Sequence, residues 1–594
     1  MIVKLPPPDD TPMRDFQHRT VQFGLKHRRA IIGNDPGLGK TRCGLEITAT
    51  LSQVLPKKLK ASLQERQEWY DRNYPQLHIK AKPSILVICT KTGMHVWIRE
   101  TAKWISNVVG DSIDAPVLIE GQKLRRTKLW AQSTFCVCTL ETFKYDSDVG
   151  GPISERQWDI LIIDEAHKIR NRKTLAFKAV KRFALKTPYL ILITATPMSR
   201  GAQDIWTLMH LCAPKLFPSY WKWVNTFCIT VNDEFGMQIV GNKNVDKLGE
   251  LLSNYMIRFS REDVAPELPK KLRIPIEIQL PPDFQEVYAQ LEVAMLTDLS
   301  VLLDVPTDTS VGSREVSWVD GSTDESAGEG EGENEDENEE FLLGGRIMAD
   351  SEGDASGFQS QGRSHILIAP NRLVAMTRAR QLMATPKLLD PDYIYGPGFE
   401  AIGGWLEDQA EPTDRHVIIY TSFARALPFL ETYIHGLFPN VHVYHVKGGM
   451  KSSEIGAVEE AFRQDPTSIV VGTIRAAQSY SLETAKAVFM LGYDWDPAAN
   501  IQAEDRALRL TTVAKGSIPF YYIKVLDTID EVTLDAVNIK FYNTGQILET
   551  LHNYLKSRHE DATVKAASVT ADAEVTTDAE VTPMQDRVRD QKNF

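Results

Sequence analysis

Lys40 and Thr41 end the stretch "NDPGLGKT", which follows a short apolar run, Ala30-Ile31-Ile32, and precedes a helix-compatible run from Arg42 to Thr50. A strand, a tight loop and a helix are the setting a phosphate-binding loop needs. Gly37 and Gly39 free the backbone to turn its N–H groups inward, and a helix N-terminus adds partial positive charge there. Lys40 suits the β/γ-phosphates of a nucleotide, and the Thr41 hydroxyl suits Mg²⁺. The usual pattern opens on glycine, but Asn34 stands there; asparagine enters left-handed conformations more readily than most residues, which makes it a tolerable substitute. The competing reading is a glycine-rich turn without a ligand.

A second chemical group lies in "WDILIIDEAHKIRN", Trp158 to Asn171. Ile160 to Ile163 read as a buried strand. It delivers Asp164 and Glu165 to the carboxyl end of a parallel sheet, where ligands bind. Asp164 is expected to hold Mg²⁺ and Glu165 to orient the water that attacks a γ-phosphate. Alone, the two carboxylates could equally be favourable charge at a helix N-terminus.

The elements around these groups resemble helicase superfamily two, and within it the Swi/Snf-like ATPases. Asp164-Glu165-Ala166-His167 is similar to that superfamily's second motif. The family's phosphate loop also lacks the first glycine, and Asn34 to Thr41 resembles it, with Asp35, Pro36, Gly37, Leu38, Gly39 and Lys40 between. "MRDFQHRTVQF" (Met13–Phe23) resembles the segment whose glutamine reads adenine, here Gln17. "CTKTGMHVWIRETAKW" (Cys89–Trp104) is similar to the W-x-x-E-x-x-K-W segment. "VCTLETF" (Val137–Phe143) resembles a strand end that touches the nucleic-acid backbone, which assigns Thr139. "LITATPMSRGAQDIWTLM" (Leu192–Met209) is similar to the third motif and gives Thr194 and Thr196, with His167, as coupling residues. "ELPKK" (Glu267–Lys271) and "RLVAMTRARQLMATPKLL" (Arg372–Leu389) resemble the branch's helical region.

In the second half, "HVIIYTSF" (His416–Phe423) and "SIVVGTI" (Ser468–Ile474) read as strands, and Thr473 is the expected nucleic-acid contact. "QAEDRALRL" (Gln502–Leu510) resembles the sixth motif. Arg506 and Arg509 are spaced i, i+3, so both fit one helix face and would stabilise charge on a phosphate held by the other lobe; Gln502 would couple. Two departures stand out. The fifth motif reads "TIRAAQSYSLETA" (Thr473–Ala485) without the family's glycines, and Thr511-Thr512 replaces its final G-Q.

The resemblance implies an α/β protein with two RecA-like lobes, parallel sheets and a helical insertion. The expected division is residues 1–270, an ATP-binding lobe; 271–390, the insertion, interrupted by a disordered acidic segment at about 304–364; 391–548, the second lobe; and 549–594, a disordered low-complexity tail. ATP and Mg²⁺ are the implied cofactors. The implied activity is a DNA-dependent ATPase that translocates on DNA, duplex before single-stranded, with RNA less favoured and no membrane or named protein partner. A strand-separating helicase, an RNA-dependent motor and a DNA-binding scaffold that does not hydrolyse remain open.

Composition bounds these readings. The 594 residues are 43% hydrophobic and 25% charged, ordinary for a globular protein. No N-terminal signal peptide or membrane-spanning apolar run is read, and the six cysteines contain no C-x-x-C pair, so reduced thiols in a cytosol-like compartment are expected. No chromatin-reading, nuclease or zinc module is read beside the motor, so a cytoplasmic setting, prokaryotic or viral, is expected. Cys136 and Cys138 share one strand face, where packing explains them. The net charge of −12 is concentrated: Thr323–Glu340 carries ten acidic residues and no basic one. Such a stretch cannot bury a core; it reads either as a solvated spacer that contacts nothing or as a flexible polyanion that competes with DNA phosphates for lysine and arginine. Lys168–Lys186, by contrast, holds eight basic residues and no acidic one.

Overall fold

A computed structural model describes residues 11–54, 57–73, 81–233, 236–264, 271–296, 358–361, 364–367, 372–476, 482–507 and 517–573. The acidic stretch 323–340, Arg509, Thr511, Thr512 and the end of the tail lie outside them.

The first lobe is built on a parallel sheet of β1 (Arg29–Ile32), β2 (Ile85–Cys89), β3 (Val117–Leu118), β4 (Phe135–Thr139), β5 (Ile160–Asp164), β6 (Tyr189–Ile193) and β9 (Met256–Ile257), in the order β3-β4-β2-β5-β6-β1-β9. Its continuous apolar runs have a simple cause. Ile31, Leu86, Ile88, Leu161 and Ile163 enter one core, while Ala30, Ile32, Ile85, Val87, Ile160 and Ile162 enter another on the opposite face. A sheet covered on both sides has no polar face to alternate with. The helices around it include α1 (Asp15–His27), α2 (Lys40–Val54), α3 (Lys91–Trp104), α4 (Leu140–Asp146), α5 (Val245–Ser253) and the short α6 (Arg261–Val264). β7 (Cys228–Asp233) and β8 (Gly236–Asn242) form a separate antiparallel pair.

The second lobe is a parallel sheet of β10 (Lys271–Ile278), β13 (Val417–Thr421), β14 (Val443–Val446), β15 (Ile469–Thr473), β16 (Ala487–Leu491) and β17 (Ile518–Val525), ordered β10-β17-β16-β13-β15-β14. The expectation of two RecA-like α/β lobes with parallel sheets is met. Inserted between β10 and β13, α7 (Pro282–Leu296) and α8 (Arg372–Ala384) pack through Phe284, Leu291, Ala379, Leu382 and Met383, in one cluster with Val525 and Ile529.

Three expectations are corrected. Lys271–Ile278, assigned to the helical insertion, is instead the edge strand β10, paired with β17 from Lys271↔Ile518 to Ile278↔Val525. Its alternating exposure marks a half-covered edge strand, which helical resemblance on either side concealed. The segment at about 304–364, expected to be disordered throughout, ends in β11 (Phe358–Gln361), which pairs antiparallel with β12 (Ser364–Leu367). The tail expected from residue 549 is helical to Ala573: α10 (Ile529–Ala573) follows α9 (Pro497–Glu504) and β17 and crosses to the first lobe. There Ile547 and Leu551 are fully buried in the first lobe's core, and α10 packs along α5. Apolar side chains spaced i, i+4 hold it, although the composition around them is polar. All six cysteines are free and buried, and among the described residues no helix is long and apolar enough to cross a membrane.

Candidate active site

β1, β6 and β5 are neighbours in register, Ile32 beside Ile193 and Ile193 beside Asp164. Their carboxyl ends therefore bring together the loop after β1, Thr194 and Thr196 after β6, and Asp164 and Glu165 after β5. Gly37 and Gly39 adopt φ of 80° and 74°, which other side chains rarely reach. Lys40 donates to the carbonyls of Asn34 at 2.9 Å and Asp35 at 3.0 Å. Burial lowers its pKa, and Glu165, Asp35, Asp164 and Asp505 oppose that shift. Thr41 follows on the first turn of α2.

Asn34 is not left-handed, contrary to the sequence reading. It is a buried polar brace. Its Nδ2 donates to Thr20 Oγ1 at 3.0 Å in α1, and its Oδ1 accepts from the Phe259 N–H at 3.1 Å. An amide serves this position because it satisfies two buried partners at once.

Gln17 braces the same loop. Its Nε2 donates to the Leu38 carbonyl at 3.2 Å and its Oε1 accepts from the Arg14 N–H at 3.0 Å. Gly39 is required by its φ, and a Cβ there would stand 2.5 Å from Gln17 Nε2 and push the amide off the loop.

At the second motif, Trp97 Nε1 on α3 donates to Asp164 Oδ2 at 2.9 Å. Burial and the adjacent Glu165 charge raise the Asp164 pKa. Burial also pushes Glu165 upward, but His167 and Lys40 outweigh it and keep Glu165 ionised. Glu165 sits at φ 50°, ψ 49°, a strained conformation for a residue with a side chain, and such strain persists where the surroundings impose it. His167 Nδ1 lies 3.3 Å from Glu165 Oε2, 3.1 Å from Thr194 Oγ1 and 3.5 Å from Thr196 Oγ1. Three of the four residues expected to couple motifs, His167, Thr194 and Thr196, thus meet at one imidazole nitrogen.

The remaining sequence-derived residues fall less evenly. Thr139 caps α4, accepting from the Thr142 N–H at 3.1 Å. Thr473, at the end of β15, is only 6% exposed, which does not support a surface contact with nucleic acid. Gln502 is buried in α9, and its carbonyl accepts from Arg506 Nε at 3.1 Å. α9 ends at Glu504, so Arg506 occupies the following turn, and the expected pairing with Arg509 lies outside the described residues. Arg258, Arg261 and Arg170 escaped the sequence reading. Arg258 bonds Asp35 Oδ1 at 2.6 Å and the Gly33 carbonyl at 2.8 Å, fixing the loop from a strand end far along the chain.

The SNF2-related domain model matches residues 16–317, just over half the chain, and the helicase conserved C-terminal domain model matches 402–511. The chain belongs to the SNF2-related family. Among curated proteins, this SNF2-related chain is 22% identical to mouse "DNA excision repair protein ERCC-6-like 2" over 84% of its length and 32% of the relative. It is 20% identical to the yeast "Transcription regulatory protein SNF2" over 93% and 29%, respectively. The human "SWI/SNF-related matrix-associated actin-dependent regulator of chromatin subfamily A member 1" is 22% identical over 89% and 43%. The chain therefore spans between 29% and 43% of the length of these relatives. A solved structure, "Sulfolobus solfataricus SWI2/SNF2 ATPase core in complex with dsDNA", covers 92% of this chain and 96% of its own at 18% identity and a TM-score of 0.36. The expected cytoplasmic, prokaryotic or viral setting is overturned: the curated relatives are eukaryotic, and their names place them in DNA repair, transcription and chromatin.

Proposed function

We propose that this chain is a DNA-dependent ATPase that moves along duplex DNA and uses ATP hydrolysis to remodel DNA or protein–DNA complexes. The carrying observation is the convergence of Lys40, Thr41, Asp164 and Glu165 at the carboxyl edge of the first sheet, facing the turn of Arg506 across the lobes. Family membership supports ATP as the nucleotide. Gly37, Gly39 and Lys40 would cradle the phosphates, and Arg506 and Arg509 would meet charge that develops on the γ-phosphate.

The donor set suits Mg²⁺. Among the described residues no cluster of three metal-ligating side chains occurs, but Mg²⁺ needs only one or two protein oxygens beside substrate phosphates. The Thr41 hydroxyl and Asp164 would hold it, and a bound cation would offset the burial and the Glu165 charge that raise the Asp164 carboxyl. When bound, the ion neutralises phosphate oxygens. Glu165 would orient the attacking water, with His167 holding the carboxylate ionised.

The relatives' names, with DNA repair, transcription and chromatin in them, favour DNA over RNA. ATP turnover measured with no nucleic acid, single-stranded DNA, duplex DNA and RNA decides the reading. Greatest stimulation is expected with duplex DNA, without displacement of a strand from a tailed duplex. Greatest stimulation by RNA, or no turnover under any condition, would sink it.

A further inference from the structure

α9, which precedes Arg506, is held at both ends by arginines of the first lobe. At its N-terminus, Asp496 Oδ2 accepts from Arg170 Nη2 at 2.7 Å, and Arg170 Nη1 donates to Ser199 Oγ at 2.6 Å. At its C-terminus, Asp505 Oδ1 lies 3.0 Å from Arg261 Nη2 and 2.8 Å from Lys271 Nζ. Arg261 Nη2 also donates to the Pro36 carbonyl at 2.7 Å, and the Arg261 backbone N–H donates to Asp35 Oδ2 at 3.0 Å. One guanidinium nitrogen therefore touches both the phosphate loop and the residue before Arg506.

The contact is dry. The Arg261 and Asp505 side chains are 11% and 2% exposed. Neighbouring groups are accounted for: Glu504 takes Arg273, Lys271 and the Tyr522 hydroxyl, and Arg258 holds Asp35 from the other side. Burial drives the Asp505 carboxyl upward, and Lys271 and Arg261 more than reverse it, so the pair is ionic. Arg261 Nη1 and Asp505 Oδ2 are nevertheless buried without a hydrogen-bond partner among the described residues. A pair serving only to pack the lobes would more economically use an apolar contact.

We propose that Arg261 is a positioning residue: it latches Asp505 to the phosphate loop and so sets where the turn bearing Arg506 stands relative to bound nucleotide. The latch rests on the ATPase reading. Removing it leaves the loop fixed by Arg258 and Asn34 but lets Arg506 drift. Arg506 acts most strongly as charge develops on the transferring phosphate, so the loss falls on kcat more than on ATP binding.

The test uses the full chain with Arg261→Gln, Asp505→Asn, the double variant and Arg261→Lys. Each of the first two should lower DNA-stimulated kcat by about 10- to 100-fold, the scale of a small misplacement, with KM for ATP changed by less than about threefold. The double variant should be no more than about threefold slower than Asp505→Asn, which already cuts the Arg261 contact together with that of Lys271. Arg261→Lys should regain part of the loss. Normal kcat in Arg261→Gln, losses that multiply in the double variant, a loss confined to KM, or no regain with lysine would each overturn the latch. A second readout needs no turnover. Dyes on Leu124→Cys and Ser453→Cys, exposed positions on the two lobes, report the interlobe distance without nucleotide. Energy transfer should broaden in both Arg261→Gln and Asp505→Asn, and unchanged transfer in both would overturn the latch. Absence of ATP turnover in the wild type would instead overturn the ATPase reading, leaving the dye measurement to judge the contact.

Discussion

The proposed reading gives Lys40 and Glu165 different tasks although both are half-buried beside the same loop. Lys40, held by two loop carbonyls, is placed to bind phosphate. Lys40→Ala should abolish ATP binding and turnover together. Glu165→Gln should retain ATP binding within a few-fold and lose hydrolysis by roughly 10² or more, because an amide cannot accept or steer a proton. Nucleotide titration followed by single-turnover hydrolysis separates the two, and near-normal hydrolysis by Glu165→Gln would remove it from the proposed role. Local pattern made these residues legible: a strand, then glycines or paired carboxylates, reads within a dozen positions. Arg258 and Arg261 were illegible for the opposite reason. Their partners Asp35 and Pro36 lie more than 200 residues upstream, and a single arginine after a short strand carries no periodic signal. Asn34 was located correctly, but its role was misread because the fold supplies two buried partners the sequence cannot show.

Among the elements, α5 and α10 meet at Gly249. A Cβ there would stand 2.6 Å from Thr550 Cγ2 and 3.0 Å from the Leu551 backbone nitrogen. Alanine inside a helix ordinarily stabilises by about 0.5–1 kcal/mol. Overpacking against a backbone costs about 1–3 kcal/mol, so the clash should win and Gly249→Ala should lower the urea midpoint. Gly404, in the helix Pro397–Glu407 with nothing within 4 Å of its virtual Cβ, is the control, and Gly404→Ala should raise it. The same direction in both would contradict the packing argument. α10 carries a second test near its start. Burial, opposed by Arg380, raises the Asp530 carboxyl to about 7 from its ordinary 3.8. The folded chain thus keeps a proton that the unfolded chain releases, and the resulting stability, complete below about pH 4, is lost as pH rises through 7. Asp530→Asn mimics the neutral form. Its stability advantage over wild type should grow between pH 4 and 8 by at most about 4 kcal/mol. A pH-independent gap in thermal melts would refute this. The sheets were legible because strands buried on both faces are continuous apolar runs. α10 was not, because its few anchoring residues are diluted by polar ones.

At the scale of the whole molecule, the chain does not divide where its lobes do. The part before residue 297 supplies β10 to the second sheet, and the part after 357 supplies Ile547 and Leu551 to the first lobe's core. Each half thus holds a piece of the other. This is a reciprocal exchange, and its consequence is complementation: a chain cut between Leu296 and Phe358 should yield fragments that are poorly soluble apart and form a one-to-one complex when co-expressed. The free N-terminal fragment would bare the groove that receives Leu551, and the free C-terminal fragment would bare the β17 edge. Size-exclusion chromatography of the two fragments, separate and mixed, reads the outcome directly. If each proves a soluble, folded monomer that ignores the other, the two halves are independent modules and neither borrowed element is needed.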